Sequence, residues 1–223
     1  MLEILTFASV LSAEAACAAQ LSQALLTALA ITKGRVSFMV SGGNTPRRVL
    51  PLVLAEVTDW DRVDVFASDE RLVPVGHPDS TEGMVREVFA AAGRPLHYLG
   101  FGADTTPEVA LPHWQDALKN VWPVAAGLIG IGEDAHFASL FPKRPEIGEP
   151  QLFAAAVPET APHKHPRLTL GRAAFAKCEL LTLVATGSTK RRVLNLSRLD
   201  KADYMVLPVA VIGEIGRVIA FTD

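Results

Sequence analysis

Short apolar runs, each followed by a turn and then by a segment of helical period, recur along the whole chain. Residues 35–40, 62–67, 96–99, 125–131, 180–185 and 218–221 are of this kind, with little polar alternation inside them. A strand apolar on both faces needs cover on both faces, and helical segments between such strands supply it. Helices are expected over about 45–55, 80–92, 107–120 and 189–198. Near the amino terminus Leu21, Leu25, Ala28 and Leu29 recur at helical spacing, with Ser12 as the N-cap. The pattern predicts an α/β fold: a mostly parallel, Rossmann-like sheet with helices on both faces. No Ser-, Gly- or Pro-rich stretch separates two halves, so residues 1–223 read as a single domain.

Composition narrows the function classes. Of 223 residues, 49% are hydrophobic and the formal net charge is -3, which argues against disorder and against a general nucleic-acid binder. Cys17 and Cys178 are too few for a disulfide framework or a four-ligand zinc site, and fit a reducing compartment. The first basic residue is Lys33, so the Leu/Ala-rich start lacks the positive region of a secretory signal. Gln20, Ser22 and Gln23 argue against a membrane span. The expectation is a cytoplasmic protein; nothing in the sequence fixes its oligomeric state.

Ligands of open parallel sheets sit beyond the carboxyl ends of the strands, and the notable polar clusters fall there. Ser41-Gly42-Gly43-Asn44-Thr45-Pro46 joins a strand to a helix. Its glycines permit close backbone approach, Thr45 is a candidate cap, and Pro46 suits the first helical position. Such a helix start offers amides to an anion, although the segment serves equally as an ordinary turn. Asp69-Glu70-Arg71 ends the next strand. Arg71 has the forked geometry for a phosphate, or else Asp69 and Glu70 hold it in an internal ion pair. After the apolar run ending at Gly130, Asp134 precedes His136 by two residues at an expected helix start. The pair reads as a base and its orienting carboxylate, or as a packed histidine and a cap. Lys190, in Thr186-Gly187-Ser188-Thr189-Lys190, is a further cation for an anion site or a solvated lysine. His163 and His165 have metal-binding spacing, but no accompanying ligand set is visible, so no metal site is expected. No Gly-x-Ser-x-Gly elbow supports a serine nucleophile.

Taken together, five blocks resemble the glucosamine-6-phosphate isomerase/6-phosphogluconolactonase family. They are Val40 to Pro46; Asp69 to Pro74 with His77-Pro78-Asp79-Ser80; Gly130 to Pro142; Pro166 to Leu170; and Thr186-Gly187 with Lys190. Asp69-Glu70-Arg71-Leu72-Val73-Pro74 and His136-Phe137-Ala138-Ser139-Leu140-Phe141-Pro142 are similar to the lactonase branch. The Glu that assists ring opening in the deaminases has no counterpart here. The resemblance implies hydrolysis of a small-molecule phosphosugar lactone without metal or organic cofactor. It implies His136 as general base and Asp134 as its orienting group. Ser41, Gly42, Gly43, Asn44, Thr45, Arg71, Arg167 and Lys190 would hold the phosphate and position the ring. An isomerase or deaminase on the same scaffold, or a non-catalytic phosphosugar binder, are the competing readings. Two departures stand out: Ala135 where the family has Gly, and Thr81 where it commonly has Asn.

Overall fold

Strands buried on both faces fix the architecture. Residues 2–102, 106–149, 153–159, 164–196, 198 and 203–223 are described by the computed structural model. Among them β2 (Val36–Val40), β6 (Ala126–Ile129), β9 (Leu181–Val184) and β10 (Val218–Thr222) are buried along their whole length. With β1 (Leu2–Thr6), β3 (Val63–Ala67) and β5 (His97–Tyr98) they form a seven-stranded sheet ordered β1-β10-β9-β6-β2-β3-β5. Every pairing in it is parallel.

Successive side chains of each strand enter different cores, as the period of two requires. Phe38, Val40, Val65, Ile219 and Phe221 pack beneath α1 (Val10–Ile31), α2 (Asn44–Glu56) and α3 (Thr81–Ala91). Trp60 anchors that side, meeting Phe89 edge-on at 4.9 Å between ring centroids. Met39, Phe66, Leu181, Leu183 and Ala220 face the other way, toward α4 (Pro107–Ala117) and α7 (Ser188–Leu196). α1 is long and apolar enough to cross a membrane by length and composition, but Ala13, Cys17, Leu21 and Leu25 lie fully buried against the sheet.

Several boundaries differ from the sequence reading. The α1 N-cap is Ser9, not Ser12: the two serines exchange hydrogen bonds with each other's amides at 3.2 and 3.1 Å. α2 begins at Asn44 behind Gly43, so Pro46 is its third residue and Thr45 does not cap it. Leu2–Thr6 is a strand that the Leu/Ala-rich start concealed. The largest difference follows β3. The chain leaves the main sheet at Ser68, and β4 (Asp69–Arg71) joins β8 (Arg167–Leu170) and β7 (Ala154–Val157) in a separate three-stranded antiparallel sheet. In its register Arg71 lies opposite Arg167.

Glu70 ties this small sheet to α3. Its buried carboxylate accepts from the amides of Arg71, Thr81 and Glu82 at 2.8, 2.8 and 2.7 Å, while Ser80 caps the helix through Gly83. Burial raises the Glu70 pKa, and the three amide bonds pull against that rise. Glu70→Ala strands these amides and is expected to cost about 2–4 kcal/mol, read as a lower denaturant midpoint at unchanged slope.

Candidate active site

The order of the sheet reverses between β2 and β6, and such a switch point opens a crevice at the strands' carboxyl ends. A cavity of about 130 Å³ lies there. Ser41 leaves β2 with its amide bonded to the Leu128 carbonyl at 2.8 Å, and Gly130 and Ile131 leave β6 beside it. The expected residues Ser41, Gly42, Gly43, Asn44, Thr45, Arg71, His136, Arg167 and Lys190 all line the cavity. Asp134 stands behind, bonded to the His136 ring.

The turn from β2 into α2 has the form an anion receptor needs. Gly43 takes φ 111, a backbone that L side chains rarely adopt, and no side chain caps the helix start. At Gly42 a methyl group would come 2.5 Å from Thr81 Oγ1 and 3.0 Å from Arg71 Nη1, so only glycine lets the turn lie against them. Thr81, where the family commonly carries Asn, is thus packed under the turn, 1% exposed.

His136 does not start a helix. It sits in a tight loop closed by Gly132 N–H donating to its carbonyl at 2.7 Å and by an antiparallel bridge between Ile131 and Phe137. Its Nδ1 is 2.5 Å from Asp134 Oδ1, and the ring packs on Phe141 at 4.9 Å. Burial pushes the Asp134 carboxyl up, but the hydrogen bond and charge of His136 outweigh it and hold the group below the usual range. Gly132 makes room for the ring, since a methyl there would lie 2.2 Å from it. Ala135 occupies φ 72 yet is 2% exposed. The substitution of Ala for Gly therefore strains the backbone without breaking the His136–Asp134 contact.

The cations are arranged differently from the local expectation. Asp69 does not pair with Arg71. It faces Arg167 Nη1 at 3.7 Å and accepts from Ser139 Oγ at 2.6 Å and Ser68 Oγ at 2.9 Å. Arg167 also lies over the Phe141 ring at 5.5 Å. Arg71 instead donates Nη1 to the Asp79 carbonyl at 2.9 Å. The buried Nε atoms of both arginines and Ser41 Oγ have no hydrogen-bond partner among the described residues. Buried donors of this kind suit an oxygen-rich ligand. Burial lowers the Arg167 pKa against the pull of Asp69, and lowers that of Lys190 against Glu133. Pro46, Asp69, Gly130, Ile131 and Ala138 also line the cavity, and their local sequence does not mark them as ligands. Asp69 and Ser139 fall within the family-like blocks, but only the folded chain brings both to Arg167, at 3.7 and 3.4 Å. His163 lies outside the described residues.

A phosphosugar-handling α/β enzyme is the class that this fold and crevice define. Residues 11–220 match the family of glucosamine-6-phosphate isomerases/6-phosphogluconolactonase, and the chain belongs to it. A 6-phosphogluconolactonase of Caulobacter vibrioides is 36% identical over 209 residues, 88% of this chain and 86% of that protein. One of Pseudomonas aeruginosa is 34% identical over 202 residues, covering 86% and 83%. Among solved structures, a 6-phosphogluconolactonase from Shewanella baltica superposes with TM-score 0.86 at 25% identity, over 100% of this chain and 98% of that one. One from Thermotoga maritima has TM-score 0.85 at 21% identity over all of both chains, a likeness of fold.

Two outcomes test this geometry. Relief of left-handed strain in Ala135→Gly gains about 1–2 kcal/mol, while the lost buried methyl and the added chain entropy take back about as much. Its unfolding free energy should stay within about 1 kcal/mol of wild type, and a loss of about twice that size would contradict the strained-alanine account. Asp134 has a depressed folded pKa, so its stabilising contribution is present above the unfolded value, about 3.9, and is lost as pH falls below it. Asp134→Asn should therefore flatten the acid limb of a stability–pH curve below about pH 4.

Proposed function

We propose that this chain hydrolyses 6-phospho-D-glucono-1,5-lactone to 6-phospho-D-gluconate, the lactone-opening step of the oxidative pentose phosphate pathway, with His136 as general base. The names of the two bacterial relatives support the substrate. The observation that carries the chemistry is one cavity holding both an oriented imidazole and three cations, Arg71, Arg167 and Lys190. With Nδ1–H donated to Asp134, the tautomer leaves the Nε2 lone pair as the basic one. Nε2 takes a proton from water as the oxygen attacks the lactone carbonyl, and the imidazolium that forms is stabilised by Asp134. The proton then returns to the ring oxygen as the C1–O5 bond breaks, giving the acid. Arg71, Arg167 and Lys190, with Ser41, Gly42, Gly43, Asn44 and Thr45 at the start of α2, hold the phosphate and position the ring. Residues 1–223 act as one domain in this reading. A cytoplasmic location goes with it, supported by the two buried thiols, whose pKa values burial pushes up to about 12.

The test is hydrolysis of the lactone generated in place from glucose 6-phosphate, corrected for spontaneous opening. His136→Asn should lower kcat by about 10²–10⁴-fold with little change in KM. Arg167→Met should raise KM by about 10–100-fold, the loss of one charge-assisted contact. Wild-type activity no faster than background would overturn the proposal, and ammonia release from glucosamine 6-phosphate would replace it with the deaminase reading. Phosphosugar binding without turnover would leave a binding protein.

A further inference from the structure

We infer that His77, Asp79 and His165 form a binding site for a divalent transition-metal ion of the zinc class, beside the crevice and separate from His136. Neighbouring sequence offers His163 and His165 no further ligand. The fold brings His77 and Asp79 to His165 from a segment 86 residues away. Asp79 Oδ2 lies 3.1 Å from His165 Nε2 and 3.9 Å from His77 Nδ1. One ligand-capable atom from each of the three lies within 4.8 Å of the others, and the two imidazoles meet edge to face at 5.3 Å. Tetrahedral zinc with bonds of about 2.0–2.1 Å asks its ligand atoms to stand roughly 3.3 Å apart, so a small inward movement closes the set. Two imidazoles and one carboxylate are the donors zinc, nickel and copper favour, whereas magnesium and calcium prefer all-oxygen shells. Three protein ligands leave a fourth position for water.

Binding replaces interactions present without the ion. At His165 the metal takes the place of the proton shared with Asp79, and at His77 it displaces the bond from the Asp79 amide, 3.1 Å long. Protons are released, and affinity weakens as pH falls. Arg71, bonded to the Asp79 carbonyl, and Arg167, two residues beyond His165, present positive charge to the ion. Their charge opposes the ion's and weakens its binding. Cys17 and Cys178 do not compete, both being buried with thiol pKa values pushed up to about 12.

The experiment titrates the full chain with Zn²⁺ by calorimetry and with Co²⁺ by visible absorption, following circular dichroism to verify folding. Wild type should bind one ion per chain with proton release. His165→Ala and Asp79→Asn should each weaken binding at least tenfold, while His97→Ala, which removes an exposed imidazole paired with Asp64 elsewhere, should leave it unchanged. Absence of saturable one-to-one binding, or binding that survives in both variants, would overturn the site. Binding lost in His136→Ala but kept in His165→Ala would also overturn it and assign the ion to the crevice. None of these readouts requires lactonase activity, so the metal site and the proposed reaction stand or fall separately.

Discussion

Two arginines placed opposite each other across an antiparallel ladder repel, and like charges so paired weaken a sheet. Arg71 on β4 and Arg167 on β8 are held in that register here. The opposing charge comes from Asp69, itself buried and fastened by Ser68 and Ser139, and it reaches Arg167 rather than Arg71. Glu70 and Asp79 add their charges to this wall of the crevice, yet the buried Nε atoms of both arginines keep no hydrogen-bond partner among the described residues. An oxygen-rich ligand would supply the acceptors that those donors lack, which fits the proposed reading of the crevice.

The remaining parts follow from where that wall stands. The chain must leave the parallel sheet at Ser68 for β4 to exist, and Glu70 must gather the amides of α3 for β4 to stay beside the main fold. The parallel sheet contributes the other side of the crevice, through the turn after β2 and the loop after β6. A strained loop with Ala135 at φ 72 then turns His136 onto Phe141, beneath the same cavity. His136 and the cations thus come from different layers of the molecule and meet at the switch point.

Much of this was legible in the residues. Strands apolar on both faces announced the parallel sheet, and clusters such as Ser41–Thr45 and Asp134–His136 announced the crevice because they followed those strands. The small sheet was not legible. Three- and four-residue strands such as Asp69–Arg71 and Arg167–Leu170 are too short to show a period, and their pairing spans almost a hundred positions. For the same reason Asp69 looked like a partner for its neighbour Arg71, when its partner came from β8. The loop at His136 resembled a helix start because acidic and small residues favour both, and only the closing bond from Gly132 separates the two. Ser9 and Ser12 were equally good caps by type; reciprocal bonding chose Ser9.

The pairing of β1 with β10 has a consequence for how the molecule assembles. Thr6 and Thr222 share a hydroxyl hydrogen bond across 216 positions, and β1 joins the sheet beside β10. On the ribosome, β1 must wait, with its backbone groups unsatisfied by protein, until β10 has emerged. Parallel pairing of such distant segments adds loop-closure entropy to the folding barrier. This edge of the sheet therefore closes only once β10 is in place, and the interval during which the edge of β9 stands uncovered is when the chain is most exposed to misassembly.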